Sequence, residues 1–311
     1  MPVTAIAALL LAAVSSSAAS AQTRVRFGPS GTLSDNSLAI HVAIEKGYYK
    51  AAGLAPEVVQ FKGGGPALQA LVSGSIDFCV CAPEHVVRLR ARGIDGVVAY
   101  ALSDRVPYAL VAKPHSDIKS LADLKGRKIG ITTAGSLTDN LVRLALTRAG
   151  LNPDRDVQIV SIGPGAAQRA AIDSGVVAAG MVSGFDALEL DSKGYRTVFD
   201  WRKHETAALA LLARQSWLDS SRETARAVIA ATRRATRLII DDPVERAAGL
   251  KQLFPHVDDA LIAKASNDLA LSINKTGRFT PEIFSNMERD ITALEPELKP
   301  LNFAVANPIL D

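Results

Sequence analysis

Short apolar runs alternate along this chain with longer segments whose apolar positions recur every three or four residues. Arg24–Gly28, Ala55–Phe61, Asp77–Cys81, Val97–Leu102 and Tyr108–Lys113 read as strands, followed by Lys128–Thr132, Val157–Ile162, Ala179–Val182, Arg196–Phe199 and Leu209–Leu212. Helical periodicity fills most of the gaps. It runs from Asp35 or Asn36 to Lys46, from Pro66 to about Ser73, from Pro83 to about Ala91, from Ala166 to Ser174 and over Phe185–Ser192. From Gln215 onward the pattern is helical throughout, over Arg222–Ile240, Val244–Phe254, Asp258–Leu271 and Pro281–Leu294. Val228, Thr232, Ala235 and Ile239 share one face of the first of these. Alternation of this kind predicts an α/β fold: mostly parallel sheet with helices on both faces, and ligands beyond the carboxyl ends of the strands.

The clearest unit is Gly126–Gly150, strand then loop then helix. Thr133-Ala134-Gly135 breaks the strand, Ser136 stands at an N-cap position, and Asp139 three residues on suggests a capping box. Leu137, Leu141, Leu144 and Ala145 form one apolar face before Gly150 stops the helix and Pro153 follows. Loop amides, the hydroxyls of Thr132, Thr133 and Ser136, and the positive helix end suit an anion or a polar ligand head. The loop lacks the Gly-Lys-Ser/Thr of a phosphate-binding P-loop. Small-residue loops before helix starts recur at Gly31–Asp35, Lys62–Pro66, Ala82–Pro83, Gly163–Ala166 and Ser183–Gly184, so several helix N-termini can converge on one cleft.

Composition narrows the picture. The chain has 311 residues, enough for two domains, with a net charge of +3 and no basic run, so no nucleic-acid partner is expected. Met1–Ala21 carries no charged side chain, Ile6–Val14 is apolar, and Ala19-Ser20-Ala21 before Gln22 fits a cleavage site. Residues 1–21 therefore read as a secretory signal peptide cleaved near Ala21, with the mature chain exported in soluble form rather than held in the membrane. Cys79 and Cys81 are the only cysteines; on a strand they face the same way, and a bridge would close a very tight ring. They read as buried small residues rather than a staple.

Catalytic signals are sparse. Cys79 with His85 is a conceivable thiol–imidazole pair, and the same C-x-C-x3-H trio a conceivable but incomplete metal set. A core strand followed by a solvated helical turn is the preferred explanation. Lys62, before the glycines, could meet an anion, and Tyr48, Phe61, Tyr108 and Phe185 could stack on a ring or serve as core.

Five segments in order then resemble one family. They are EKGYYKAAGL at Glu45–Leu54, GSIDF at Gly74–Phe78, LADLKGRKIG at Leu121–Gly130, Gly135-Ser136 with Asp139, and AGLNP at Ala149–Pro153. The chain resembles periplasmic substrate-binding proteins of ABC importers, of the nitrate/sulfonate/taurine-binding and NMT1/THI5-like type. It departs from that pattern at Ala178, where the family usually has Asp, and at both cysteines. The resemblance implies a type II periplasmic-binding-protein fold. Residues 22–103 and 201–311 would form one lobe and 104–200 the other, with hinge crossings near Val106 and Asp200. It implies a small-molecule ligand, a sulfonate, carboxylate or pyrimidine, between the lobes. Thr32, Leu33, Ser34, Lys62, Gly64 and Ala82 would offer contacts from one side, and Thr133, Gly135, Ser136, Ser183 and Asp186 from the other. The amides of Gly135–Leu137 are the first expectation for the ligand's polar group. A permease of an ABC transporter is the implied partner, with a monomeric receptor, no catalytic activity, no metal and no cofactor. The alternative is an enzyme on the same scaffold, similar to relatives that make a thiamine pyrimidine or cleave a sulfinate, with Cys79 as nucleophile and His85 as its partner.

Overall fold

A computed structural model describes residues 22–306, so the expected signal peptide lies outside the described residues. Its strands are β1 (Thr23–Pro29), β2 (Leu54–Val58), β3 (Phe78–Cys81), β4 (Gly96–Arg105), β5 (Tyr108–Ala112), β6 (Lys128–Ile131), β7 (Gln158–Ser161), β8 (Ala179–Ser183), β9 (Arg196–Asp200) and β10 (Glu205–Arg214). Its helices are α1 (Leu38–Glu45), α2 (Tyr48–Ala51), α3 (Gly64–Ser73), α4 (Glu84–Ala91), α5 (Leu137–Arg148), α6 (Ala166–Asp173), α7 (Gly184–Ser192), α8 (Gln215–Ser220), α9 (Arg222–Asp241), α10 (Pro243–Leu253), α11 (Asp259–Ala270), α12 (Pro281–Leu294) and α13 (Phe303–Ala306). The strands form two sheets, ordered β2-β1-β3-β10-β4 and β7-β6-β8-β5-β9. Each is the centre of one lobe.

Period-two alternation decides which face each strand residue covers. In β3, Phe78 and Val80 join the core beneath α1 and α9, whereas Cys79 and Cys81 join the core beneath α3, α4 and α12. In β5, Leu110 and Ala112 point to one face of the second sheet, Ala109 and Val111 to the other. Both faces of both sheets are thus apolar and covered by helices. The face of α9 holding Val228, Thr232, Ala235 and Ile239 is buried as its spacing requires.

The sheets are mixed rather than mostly parallel. β1 runs parallel to β2 and β3, and β6 parallel to β7 and β8. β10 is antiparallel to β3 and β4, and β5 antiparallel to β8 and β9. The reason lies in the two crossings between lobes: β4 passes to β5 through Val106-Pro107, and β9 passes to β10 through residues 201–204. No crossover helix reverses the chain there, so each strand enters its new sheet against its βα neighbours. No helix among the described residues is long and apolar enough to cross a membrane.

Candidate functional site

The lobes meet along a seam built from loops at strand ends. After β2, Lys62-Gly63-Gly64 leads into α3, and the loop after β6 lies directly on it. A Cβ on Gly63 would fall 2.3 Å from Thr133 Oγ1, and one on Gly64 would fall 2.9 Å from His85 Nε2. Gly63 has φ 162°, extended backbone open to any residue, so the approach of Thr133 is what requires glycine there. Farther along, Gly31 faces Pro164 at 3.1 Å in the same sense.

His85 stands in the first turn of α4, buried, with neither ring nitrogen hydrogen-bonded. Burial first, and the nearby Arg88 charge second, push its pKa down to about 3. The imidazole is therefore neutral and offers one N–H donor and one nitrogen acceptor. Thr133 Oγ1, from the opposite lobe, is likewise buried without a partner. Buried polar atoms rarely stay unpaired, because each lost hydrogen bond to water costs about 1–3 kcal/mol. Both groups abut the same glycine pair. The amide end of α3 also opens there, with no side chain capping it.

The neighbouring groups are already paired. Arg88 donates to Glu295 Oε1, to the Gly135 carbonyl at 3.2 Å and to Asn140 Oδ1 at 3.0 Å. Asn140 donates in turn to Glu84, whose carboxyl burial pushes up to about 6 against the opposing effect of Arg88 and Asn140. This network ties α4 of the first lobe to α5 of the second. A groove of about 550 Å³ opens beside it, lined by Gly65, His85, Arg88, Ala134, Gly135 and Asn140 among others.

The α5 loop differs from its expected use. The Gly135 amide donates to Asp139 Oδ2 at 2.8 Å, the Ala134 amide to Ser161 Oγ at 3.1 Å, and the Ser136 amide to the Thr133 carbonyl at 3.2 Å. The hydroxyls of Thr132, Ser136 and Thr138 bond one another at 2.8–2.9 Å. Short polar side chains bond their own loop, Asp139 reaching Gly135 rather than Ser136, and little donor capacity remains for a guest. Of the three amides expected to anchor the ligand, those of Gly135 and Ser136 are engaged within the loop.

At the other edge, Asp35 of the 3₁₀ turn after β1 lies against the start of α7. Its Oδ2 is 3.7 Å from where a Cβ on Gly184 would sit. Burial, then the charge of Asp186, pushes Asp35 up to about 7. Asp186 itself accepts from Arg169 at 3.1 Å and from Ser183 Oγ at 2.9 Å, while Ser183 caps α7. A second cavity of about 530 Å³ lies here, between Asp35, Phe185, Arg105, Arg202, Lys264 and Leu269.

Of the residues singled out in the sequence, Gly64 and Thr133 lie at the seam, and Ser183 and Asp186 stand at the α7 start beside Asp35. Ala82 is buried, and its carbonyl accepts the His85 amide. Ser34 makes a capping box with Ser37, Leu33 packs on the core, and Thr32 and Lys62 are exposed. Arg88 and Asn140 had no local signal, Asp35 drew notice only as a helix start, and His85 only as a partner for sulfur. One expectation about sulfur is overturned, that the two cysteines stay unbridged. Cys79 and Cys81 are bridged, with Cα atoms 5.4 Å apart, inside the range a disulfide needs. Both are buried, and no hydrogen bond joins either to His85, so the thiol–imidazole pair does not form.

Comparisons with known proteins converge. A family model described as NMT1/THI5 like matches residues 34–246. A protein of Brucella abortus (strain 2308), named as a binding protein, is 31% identical over 254 residues, covering 77% of this chain and 74% of its own. A Bordetella bronchiseptica RB50 structure has a TM-score of 0.83 at 26% identity, covering 92% of this chain and 94% of that one. The alkanesulfonate-binding protein SsuA of Xanthomonas axonopodis pv. citri, bound to MOPS, has a TM-score of 0.74 at 19% identity, covering 91% and 97%.

Proposed function

Since this chain belongs to the NMT1/THI5-like family, we propose that it is a solute-binding receptor of an ABC importer, which captures one small organic molecule between its lobes and hands it to a membrane permease. The observation that carries this reading is the pair of unpartnered groups, His85 from one lobe and Thr133 from the other, buried against Gly63-Gly64. A guest seated there would receive the α3 amides and the Thr133 hydroxyl, and would meet His85 as donor or acceptor. That set suits an organic anion such as a sulfonate or carboxylate, and equally a heterocycle bearing ring nitrogens. Residues 22–103 and 201–306 would move as one lobe and 104–200 as the other, about the crossings near Val106 and Asp200. A ligand drives that hinge only by binding the closed form better than the open one, and two orphaned groups that gain partners on closure supply the difference. Periplasmic residence follows from the same reading.

Against the enzyme alternative, Cys79 is bridged to Cys81 and no hydrogen bond joins it to His85. A thermal-shift screen of sulfonates, carboxylates, nitrate and pyrimidines tests the receptor. A ligand at a hundred times its Kd stabilises by about 2.7 kcal/mol. His85→Ala and Thr133→Ala should each weaken that ligand by about tenfold or more, the worth of one lost buried hydrogen bond. Chemical turnover of the ligand that binds, or stabilisation left intact in both variants, would refute it.

A further inference from the structure

We propose that closure of the two lobes is coupled to uptake of a proton at Asp35, so that the cleft is held shut in acid and released towards neutral pH. The inference rests on the two-lobe closure described above, and it concerns the regulation of that site rather than its ligand.

The geometry sets two carboxylates on opposite sides of the joint, the buried Asp35 lying against the helix start that carries Asp186. Asp35 belongs to the first lobe, in the turn between β1 and α1, and Asp186 to the first turn of α7 in the second. The Asp35 carboxyl lies against the helix start, its Oδ2 3.7 Å from where a Cβ on Gly184 would sit, ordinary contact distance. The Phe185 amide also holds it. Closing the lobes therefore takes Asp35 out of water and sets it near a like charge, whereas opening returns it to solvent.

The groups around Asp35 do not neutralise it. From α7 comes Asp186, whose partners are Ser183 and Arg169. From β5 comes Tyr108, whose phenol is pushed up to about 12 by burial and by the two carboxylates. From the β9–β10 crossing comes Arg202, with its Cδ 3.4 Å from a would-be Gly184 Cβ and its guanidinium held by Asp200 and Asp191. Arg105, at the end of β4, pairs with Glu205. Lys264 and Asp268 of α11 line the same cavity. Among the described residues no cation makes an ion pair with Asp35. Asn36 Nδ2 donates to it at 3.1 Å, a neutral contact.

The direction follows from proton counting. Closed, Asp35 titrates at about 7; open, it returns to the ordinary carboxylate range near ~4. Between those values the closed form holds the extra proton. The open-to-closed ratio then rises by up to about tenfold per pH unit from pH ~4 to ~7, and is level above that. Ligand affinity falls in proportion to the closed fraction, because only the closed form grips the guest.

Spin labels on the two lobes read this directly and need no ligand. Gln60→Cys and Arg155→Cys place one label on each lobe at exposed positions, and the native cysteines are paired with each other. Double electron–electron resonance between pH 4.5 and 8 should show the short-distance population shrinking as pH rises, then levelling near 7. Asp35→Asn, which mimics the protonated acid, should stay short throughout. Asp186→Asn should move the levelling point to lower pH, and it decides the matter if the Asp35 variant does not fold. Distances that ignore pH, an Asp35→Asn profile that follows the parent, or an unmoved Asp186→Asn profile would overturn the proposal. A ligand that stabilises a protein whose distances ignore pH sinks the linkage alone. A pH-driven movement in a protein that no ligand stabilises leaves the linkage standing and sinks the receptor.

Discussion

Phe185 lies flat on Phe254, with ring centroids 3.8 Å apart and 9° between the planes. The first residue belongs to α7 of the second lobe and the other follows α10 of the first, so the stack crosses the joint. Phe185 and Leu188 count among the buried residues of the first lobe's core. Phe185→Ala should cost about 3 kcal/mol in urea unfolding and lengthen the interlobe distance at every pH. Phe254→Leu keeps an apolar contact without the stack and should cost only about 1 kcal/mol. Equal distances in Phe185→Ala and parent would show that the stack does not hold the lobes.

Gly63→Ala probes the seam without removing any polar group. The added methyl meets Thr133 Oγ1 at 2.3 Å, across the joint rather than within a lobe. Each lobe should keep its stability, while ligand affinity falls by about tenfold, the equivalent of ~1.4 kcal/mol of lost closure. Calorimetric titration checks the affinity and thermal unfolding without ligand checks the fold. A variant that binds like the parent would mean the ligand does not require this contact.

Glu84 gives a stability effect with a definite sign. Its carboxyl is pushed up to about 6 by burial, above the ordinary value of 4.5. The folded state therefore binds the proton more tightly, and that contribution is full below about 4.5 and lost as pH rises through about 6. Over that window the parent should lose about 2 kcal/mol relative to Glu84→Gln. Unfolding by urea at pH 4.5, 6 and 7.5 measures both. Parallel pH dependences in parent and variant would remove Glu84 as the cause.

Gln168 occupies space that two facing glycines leave in the second lobe. Its Nε2 lies 2.3 Å from a would-be Cβ on either Gly130 or Gly180, and neither atom of its buried amide has a partner. Gln168→Leu fills similar volume with no polar atom to satisfy and should stabilise by about 1 kcal/mol or more. Gly130→Ala overfills the same place and should destabilise by about 1–3 kcal/mol. A destabilised Gln168→Leu would point to an unseen partner for the amide.

What the sequence determined by itself is whatever nearest neighbours along the chain decide. The strand runs, the apolar face of α9, the helix start after Ser183-Gly184 and the Gly150 stop all follow from local periodicity and backbone sterics. The family resemblance and the two-lobe α/β class were legible for the same reason, because short motifs carry them. Tertiary structure decided which donors remain free. Asp139 and Ser161 take the Gly135 and Ala134 amides, whereas His85 and Thr133, from separate lobes, are left unpaired at one place. It also decided the mixed sheets, the Cys79–Cys81 bridge and the burial of Asp35. The approach of Asp35 to the start of α7 joins residues far apart in the chain, and burial sets the proton affinity of a carboxyl without leaving any mark on the residues beside it in sequence.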